Sequence, residues 1–248
     1  MSLPEINTWR LVRKQHAFKL KSYAGMYTSL MAIQVIGMLF SLGGVSSGGV
    51  SGDEHSIEFR TYSSNVVIAF TFLWAFISSI LITTRAYRND DFTFVTNRLT
   101  SNLSNLLFLL SASVIAGITS IMTGNVNKVI AYFFYESDYI IATDITFQGL
   151  LMGTFVTILY IFAFAACGYL VGTIVQFHKL FIVVIPTLII GSMFIGTNTH
   201  DTSLLLVWIM DTYGKETSIL LFVLKMIGTV GLLFLLSITL SNRMEVKQ

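Results

Sequence analysis

A single cysteine, Cys167, occurs in 248 residues and lies inside an apolar run. That excludes disulfides and cysteine-built metal clusters. Charge is almost as scarce: Asp, Glu, Lys and Arg make up 11% of the chain, less than half the roughly 25% usual in soluble proteins. No G-x-x-x-x-G-K-[ST] run is present. Gly214-Lys215-Glu216 lacks the upstream glycine and the following hydroxyl residue, so the chain does not itself cradle nucleotide phosphates. H-E-x-x-H is missing too, and His16, His55, His178 and His200 are scattered without the spacing of a metal site. No pair of carboxylates falls within the apolar runs, which removes a proton relay or an intramembrane protease. No enzyme is expected. Residues 1–22 carry Arg10, Arg13, Lys14, Lys19 and Lys21 and lack a short apolar core with a small-residue cleavage site, so they are not expected to be a secretory signal.

Apolar sequence is what the chain has in quantity, 54% of it. Residues 147–177 contain no charge at all. A hydrocarbon core about 30 Å thick needs about 20 helical residues, and six stretches qualify: 23–45, 65–85, 102–124, 147–172, 179–196 and 217–241. The expected fold is an all-α polytopic membrane protein. A cytoplasmic N-terminal interfacial segment (1–22) precedes a six-helix transmembrane domain (23–241) and a cytoplasmic tail (242–248).

Orientation follows from the cations. Arg10, Arg13, Lys14, Lys19, Lys21, Arg85, Arg88, Arg98, Lys179, Arg243 and Lys247 fall on one side of these spans, and only Arg60, Lys128 and Lys215 on the other. The positive-inside rule therefore predicts both termini in the cytoplasm.

Several connecting segments carry more than topology. In residues 1–22, Ile6, Trp9, Val12, Ala17 and Leu20 gather on one side of a helical wheel, with Arg13 and His16 intruding. This describes either a basic anchor or an interfacial helix with a mechanical role, presenting Trp9, Arg10, Arg13 and Lys14. Residues 126–146 and 203–210 are too apolar for ordinary outer loops. The second, which includes Trp208, is too short to span and predicts a short outer interfacial or re-entrant helix, or a segment packed against its neighbours. Residues 43–52, rich in glycine and serine, read as a flexible connector.

Inside the spans, Pro186 is expected to kink the fifth. Gly168 and Gly172, four apart beside Ala163, Ala165 and Ala166, form a small-residue packing surface, either within the chain or between subunits. Lys225 is a charge within the sixth span. It either lies on a polar translocation path, pairs with an outer acid such as Asp211, or stretches to the headgroups.

The segment between spans two and three supplies Arg88, Asn89, Asp90, Asp91, Phe92, Phe94 and Arg98. Aromatic anchors rimmed by charges suit a docking knob for a cytosolic protein. The alternative is that the phenylalanines dip into the inner leaflet.

The basic N-terminal segment, six spans with both ends inside, the link at 88–98 and the apolar outer segment 203–210 together resemble the ABC-2-type permeases. These are the membrane halves of ATP-binding-cassette exporters without a fused ATPase. Residues 97–104, Asn-Arg-Leu-Thr-Ser-Asn-Leu-Ser, resemble small Firmicute-type permeases of peptide or antibiotic-resistance operons. The likeness is one of architecture across nearly the whole chain, and segment 126–146 is larger and more aromatic than usual in the family.

The resemblance implies an elbow helix at the N-terminus, a coupling helix at 88–98 and an outer gate, with Lys225, Pro186 and Trp208 on the path or at the gate. It also implies a dimer of cytosolic ATPase subunits holding ATP and Mg, no cofactor on this chain, and a second permease subunit, identical or related. The cargo would be a hydrophobic or amphipathic peptide, antibiotic or lipid-like molecule leaving through the plasma membrane. Membrane lipid is a necessary partner and no nucleic acid is expected. The competing classes are a structural or sensory membrane subunit and a secondary transporter or channel acting alone.

Overall fold

The computed structural model describes residues 8–42, 46–51, 56–61, 64–84, 86–87, 98–134, 146–177, 211–214 and 218–243, with isolated positions 180, 181, 183, 184, 187 and 216. Two helices, α1 (Thr8–Ser22) and α2 (Ala24–Ser41), open the chain. They are almost continuous. The Tyr23 N–H donates to the Lys19 carbonyl at 2.9 Å, and the Met26 N–H to the Tyr23 carbonyl at 2.9 Å. Tyr23 itself, at φ −96° and ψ 31°, leaves helical geometry. The break falls where a basic sequence becomes apolar.

Strand β1 (Ser46–Ser51) pairs antiparallel with β2 (Ser56–Thr61), in register from Ser46 opposite Thr61 to Ser51 opposite Ser56. This hairpin corrects the expectation of a flexible connector at 43–52, while the architecture around it remains the expected all-α one. Ladder hydrogen bonds are made by the backbone, which glycine and serine supply as well as larger residues do. The sequence of β2 also alternates, with Ile57, Phe59 and Thr61 separated by Glu58 and Arg60, the period of a strand. Elsewhere the described chain is helical.

Helices α3 (Asn65–Thr83), α4 (Arg98–Phe134), α5 (Phe147–Phe177) and α6 (Ile219–Arg243) complete the architecture. Five stretches are long and apolar enough to cross a membrane: Ala24–Ser41, Asn65–Thr83, Leu99–Phe133, Phe147–Gln176 and Ile219–Asn242. This is a multi-pass membrane protein. With 37 residues, α4 is about 55 Å long at about 1.5 Å per residue, well beyond the hydrocarbon thickness. It runs through Asn125, Asn127 and Lys128 to Phe134, past the predicted end of that span at 124. The predicted fifth span at 179–196 with Pro186, the segment 203–210 with Trp208, and the link 88–97 lie outside the described residues, apart from isolated positions in 179–196.

Helix α3 is the centre of the bundle, packed on α2, α4 and α5, while α6 lies chiefly against α5 and α1 against α4. The core runs from Tyr23, Met26 and Leu30 through Trp74, Phe108 and Ala116 to Ile161, Tyr169, Val230 and Phe234. In lipid, burying apolar side chains gives little drive for helices to associate, so close backbone approach and interhelical hydrogen bonds matter more. Gly168 and Gly172 supply the approach. A Cβ on Gly168 would strike the Ser79 hydroxyl and the Phe76 carbonyl, and one on Gly172 would strike the Thr83 hydroxyl. These glycines therefore face α3 of the same chain.

Hydrogen bonds add register at successive heights. Buried Gln34 of α2 donates to the Thr119 hydroxyl at 3.0 Å and the Ala116 carbonyl at 3.3 Å. Asn127 donates to Ser41 at 2.9 Å, and the Trp74 indole to Ser29 at 3.0 Å. Buried hydroxyls such as Thr71 and Ser113 bond back to carbonyls four residues earlier, at 2.7 Å each. That back-bonding is how polar residues are carried inside apolar helices.

Candidate functional site

A buried polar cluster lies where α1, the start of α4 and the end of α5 converge. Helix α1 buries Val12, Gln15 and Lys19, spaced three and four residues apart and hence on one face. Trp9, Arg13 and Ala17 are exposed. The apolar side of the wheel is thus divided, with Val12 buried, Leu20 half-buried and Trp9 and Ala17 exposed, and Lys19 is buried on the same face as Val12. The reason lies in α4, which offers hydrogen-bond acceptors at this height instead of a greasy groove.

Lys19, 1% exposed, donates to the Ser104 hydroxyl at 2.8 Å and to Asn105 Oδ1 at 2.5 Å. The Asn105 amide in turn donates to the Tyr169 hydroxyl at 3.2 Å, and that hydroxyl donates to Asn102 Oδ1 at 2.8 Å. One chain of hydrogen bonds therefore joins α1, α4 and α5. A buried ammonium is tolerated only where its hydrogen bonds are made, and here two helices are held together in making them.

One turn from Lys19, His16 meets the Ser111 hydroxyl at 3.1 Å. Burial, and secondarily the charge of Lys19, hold His16 below the usual histidine range. Not every group is satisfied. Both amide atoms of Gln15 and the Nδ2 of Asn102 are buried without a hydrogen-bond partner. The Tyr23 ring closes the cluster from the side, edge-on to Tyr87 and Phe108 at 4.8 and 5.5 Å between centroids, with its hydroxyl directed to the Tyr87 carbonyl at 3.3 Å. Gln176 of α5 caps the end of α3 by donating to the Thr83 carbonyl.

The residues expected to matter are distributed as follows. Trp9, Arg10, Arg13 and Lys14 line the exposed face of α1. Lys225 sits near the start of α6, 40% exposed, and pairs with Glu216, where the sequence suggested an acid such as Asp211. The Thr212 carbonyl lies 3.5 Å from its ammonium. Gly168 and Gly172 pack within the chain. Arg98 begins α4, whereas Arg88, Asn89, Asp90, Asp91, Phe92, Phe94, Pro186 and Trp208 lie outside the described residues. Among the described residues no three His, Cys, Asp or Glu side chains are grouped to hold a metal ion.

Sequence reasoning passed over Lys19, Gln15, Asn102, Asn105 and Tyr169. A signal existed: Asn102, Ser104 and Asn105 are crowded into the first turns of an otherwise apolar helix. Their partner on α1 was legible only as one more topology-setting cation. Comparisons of the chain with models of protein families, with curated proteins and with solved structures find no match.

Proposed function

We propose that this chain is the membrane-spanning permease subunit of an ATP-binding-cassette exporter, driven by separate cytosolic ATPase subunits. On this reading the five long apolar helices and residues 179–196 make six spans, and α1 is an elbow helix at the inner surface of the plasma membrane. Both termini are cytoplasmic. The chain itself catalyses nothing; ATP and Mg belong to the partner, because no nucleotide-binding run is present in the sequence. A second permease subunit, identical or related, completes a path for a hydrophobic or amphipathic peptide, antibiotic or lipid-like cargo.

The observation that carries the reading is the hydrogen-bonded seam from Lys19 through Ser104 and Asn105 to Tyr169 and Asn102. Segment 88–98 enters α4 only two turns before Asn105. A push on that segment reaches α4 first and, through the seam, α1 and α5. An external motor needs helices that respond to a local push as one body, since packed elements switch between discrete arrangements and do not flex continuously. Phe92 and Phe94 are the anchors on the ATPase, and Arg88, Asp90, Asp91 and Arg98 set the register.

Co-expression with a P-loop protein encoded beside this chain, followed by pull-down and liposome export, tests the proposal. Phe92→Asp and Arg88→Glu are expected to lose ATP-dependent export by at least about tenfold while membrane insertion is unchanged, a loss of about 1.4 kcal/mol or more in coupling. Unaltered ATPase association and transport in both variants would remove the docking assignment. Full activity of the chain alone, without ATP, would remove the permease reading itself.

A further inference from the structure

The rotation of α1 about its own axis is fixed from inside the bundle. Val12, Gln15 and Lys19 are buried, and Lys19 is anchored on Ser104 and Asn105. The outward face then carries Trp9, Arg10, Arg13 and Lys14, with Phe18 and Lys21 further along. No acidic residue occurs anywhere in Thr8–Ser22. Trp9, Arg10, Arg13, Lys14 and Ala17 border an open depression of about 410 Å³, within the roughly 300–1,000 Å³ of small-molecule sites.

We propose that this depression is a binding site for the headgroup of an anionic phospholipid. The Arg13 guanidinium and the Lys14 ammonium border it beside Arg10, and an arginine fork matches phosphate oxygens two at a time. Among the described residues no carboxylate borders the depression, and the cations there favour a lipid with net negative charge over a zwitterionic one. Trp9, 55% exposed, provides an amphipathic ring of the kind that settles at headgroup depth. Phe18, also exposed, lies on the same helix, and α1 joins the spanning helix α2 through Tyr23 alone. The depression is thus held at the membrane surface, which favours a lipid-borne phosphate over a soluble one. The site goes beyond the permease reading and needs no ATPase.

The full chain, purified in detergent and titrated with phosphatidylglycerol or phosphatidylcholine, can be read by native mass spectrometry. The unaltered chain is expected to retain phosphatidylglycerol over phosphatidylcholine by on the order of tenfold or more, less so at high salt. R10Q/R13Q/K14Q is expected to bring the two lipids close to parity with helix content unchanged by circular dichroism. Lys21→Gln, exposed on α1 but outside the depression, keeps the preference. Equal retention by the unaltered chain, or a preference that survives the triple substitution, overturns the site. Displacement of phosphatidylglycerol by an equal concentration of inorganic phosphate overturns it in favour of a soluble anion. A triple variant that keeps its lipid preference but loses a co-purifying ATPase makes this face a protein-docking surface, and overturns it likewise.

Discussion

Lys19 has a long apolar stem and a charge that must be hydrogen-bonded once water is gone. Ser104 and Asn105 meet the charge and α4 covers the stem, so the residue fixes both the position and the rotation of α1. Lys19→Ala removes these bonds and leaves Asn105 Oδ1 buried without its donor. An unsatisfied buried group of this kind costs about 1–3 kcal/mol, and the loss is expected as faster hydrogen exchange across residues 8–22 with α5 still protected. His16 gives the same contact a pH dependence. Its proton is bound less readily in the folded chain than in the unfolded one, so its contribution to stability is fully present above the unfolded value of about 6.5. That contribution is lost as pH falls through the lower folded value. Acidification from pH 7 toward 5 should therefore loosen α1 in exchange measurements, and His16→Gln should flatten the dependence. Neither role is visible residue by residue. A lysine near an N-terminus reads as a topology signal until its neighbours are known.

Among whole helices, packing is decided by where backbones touch. Gly168 and Gly172 place α5 directly on α3, against the Phe76 carbonyl and the Ser79 and Thr83 hydroxyls. Gly228 and Gly231 on α6 have nothing within 4 Å of a modest added Cβ. The two kinds of glycine look alike in the sequence, but their substitutions should diverge. Gly168→Ala is expected to destabilise the bundle by about 1–3 kcal/mol, because a backbone carbonyl cannot rotate aside. Gly228→Ala should be neutral or stabilise by up to about 1 kcal/mol through helix propensity. Unfolding midpoints in detergent compare them directly, and equal midpoints would show that the α3–α5 approach is not tight. The hairpin at 46–61 is the complementary lesson. Its glycines and serines concealed a backbone ladder, and only the alternation in Ser56–Thr61 pointed to a strand. Element ends followed the same logic: α4 runs on past 124 because its polar residues there still fit a helix that projects beyond the bilayer core.

For the molecule as a whole, membrane residence was legible from composition, since long uncharged runs have no stable alternative to spanning helices in lipid. The number of residues per helix and the places where charge interrupts them then located α2, α3, α4, α5 and α6 to within a few residues at most ends. These are properties of each segment taken alone, fixed by transfer from water to hydrocarbon. Which face of each helix turns inward is a property of pairs, and apolar periodicity says little about it when lipid accepts every apolar face equally. Hence Leu and Ile recur on all sides of α6, while its inward seam of Phe222, Met226, Val230, Phe234 and Ser237 emerges only against α5. Hence also the partner of Lys225 is Glu216, a pairing that the sequence does not single out among the nearby acids. The sequence alone determined that this chain lives in a membrane and roughly where it crosses. Tertiary structure alone decided that a buried lysine, and no apolar stripe, seats the first helix, because hydrogen bonds in a dry interior are set by geometry between segments distant in the chain.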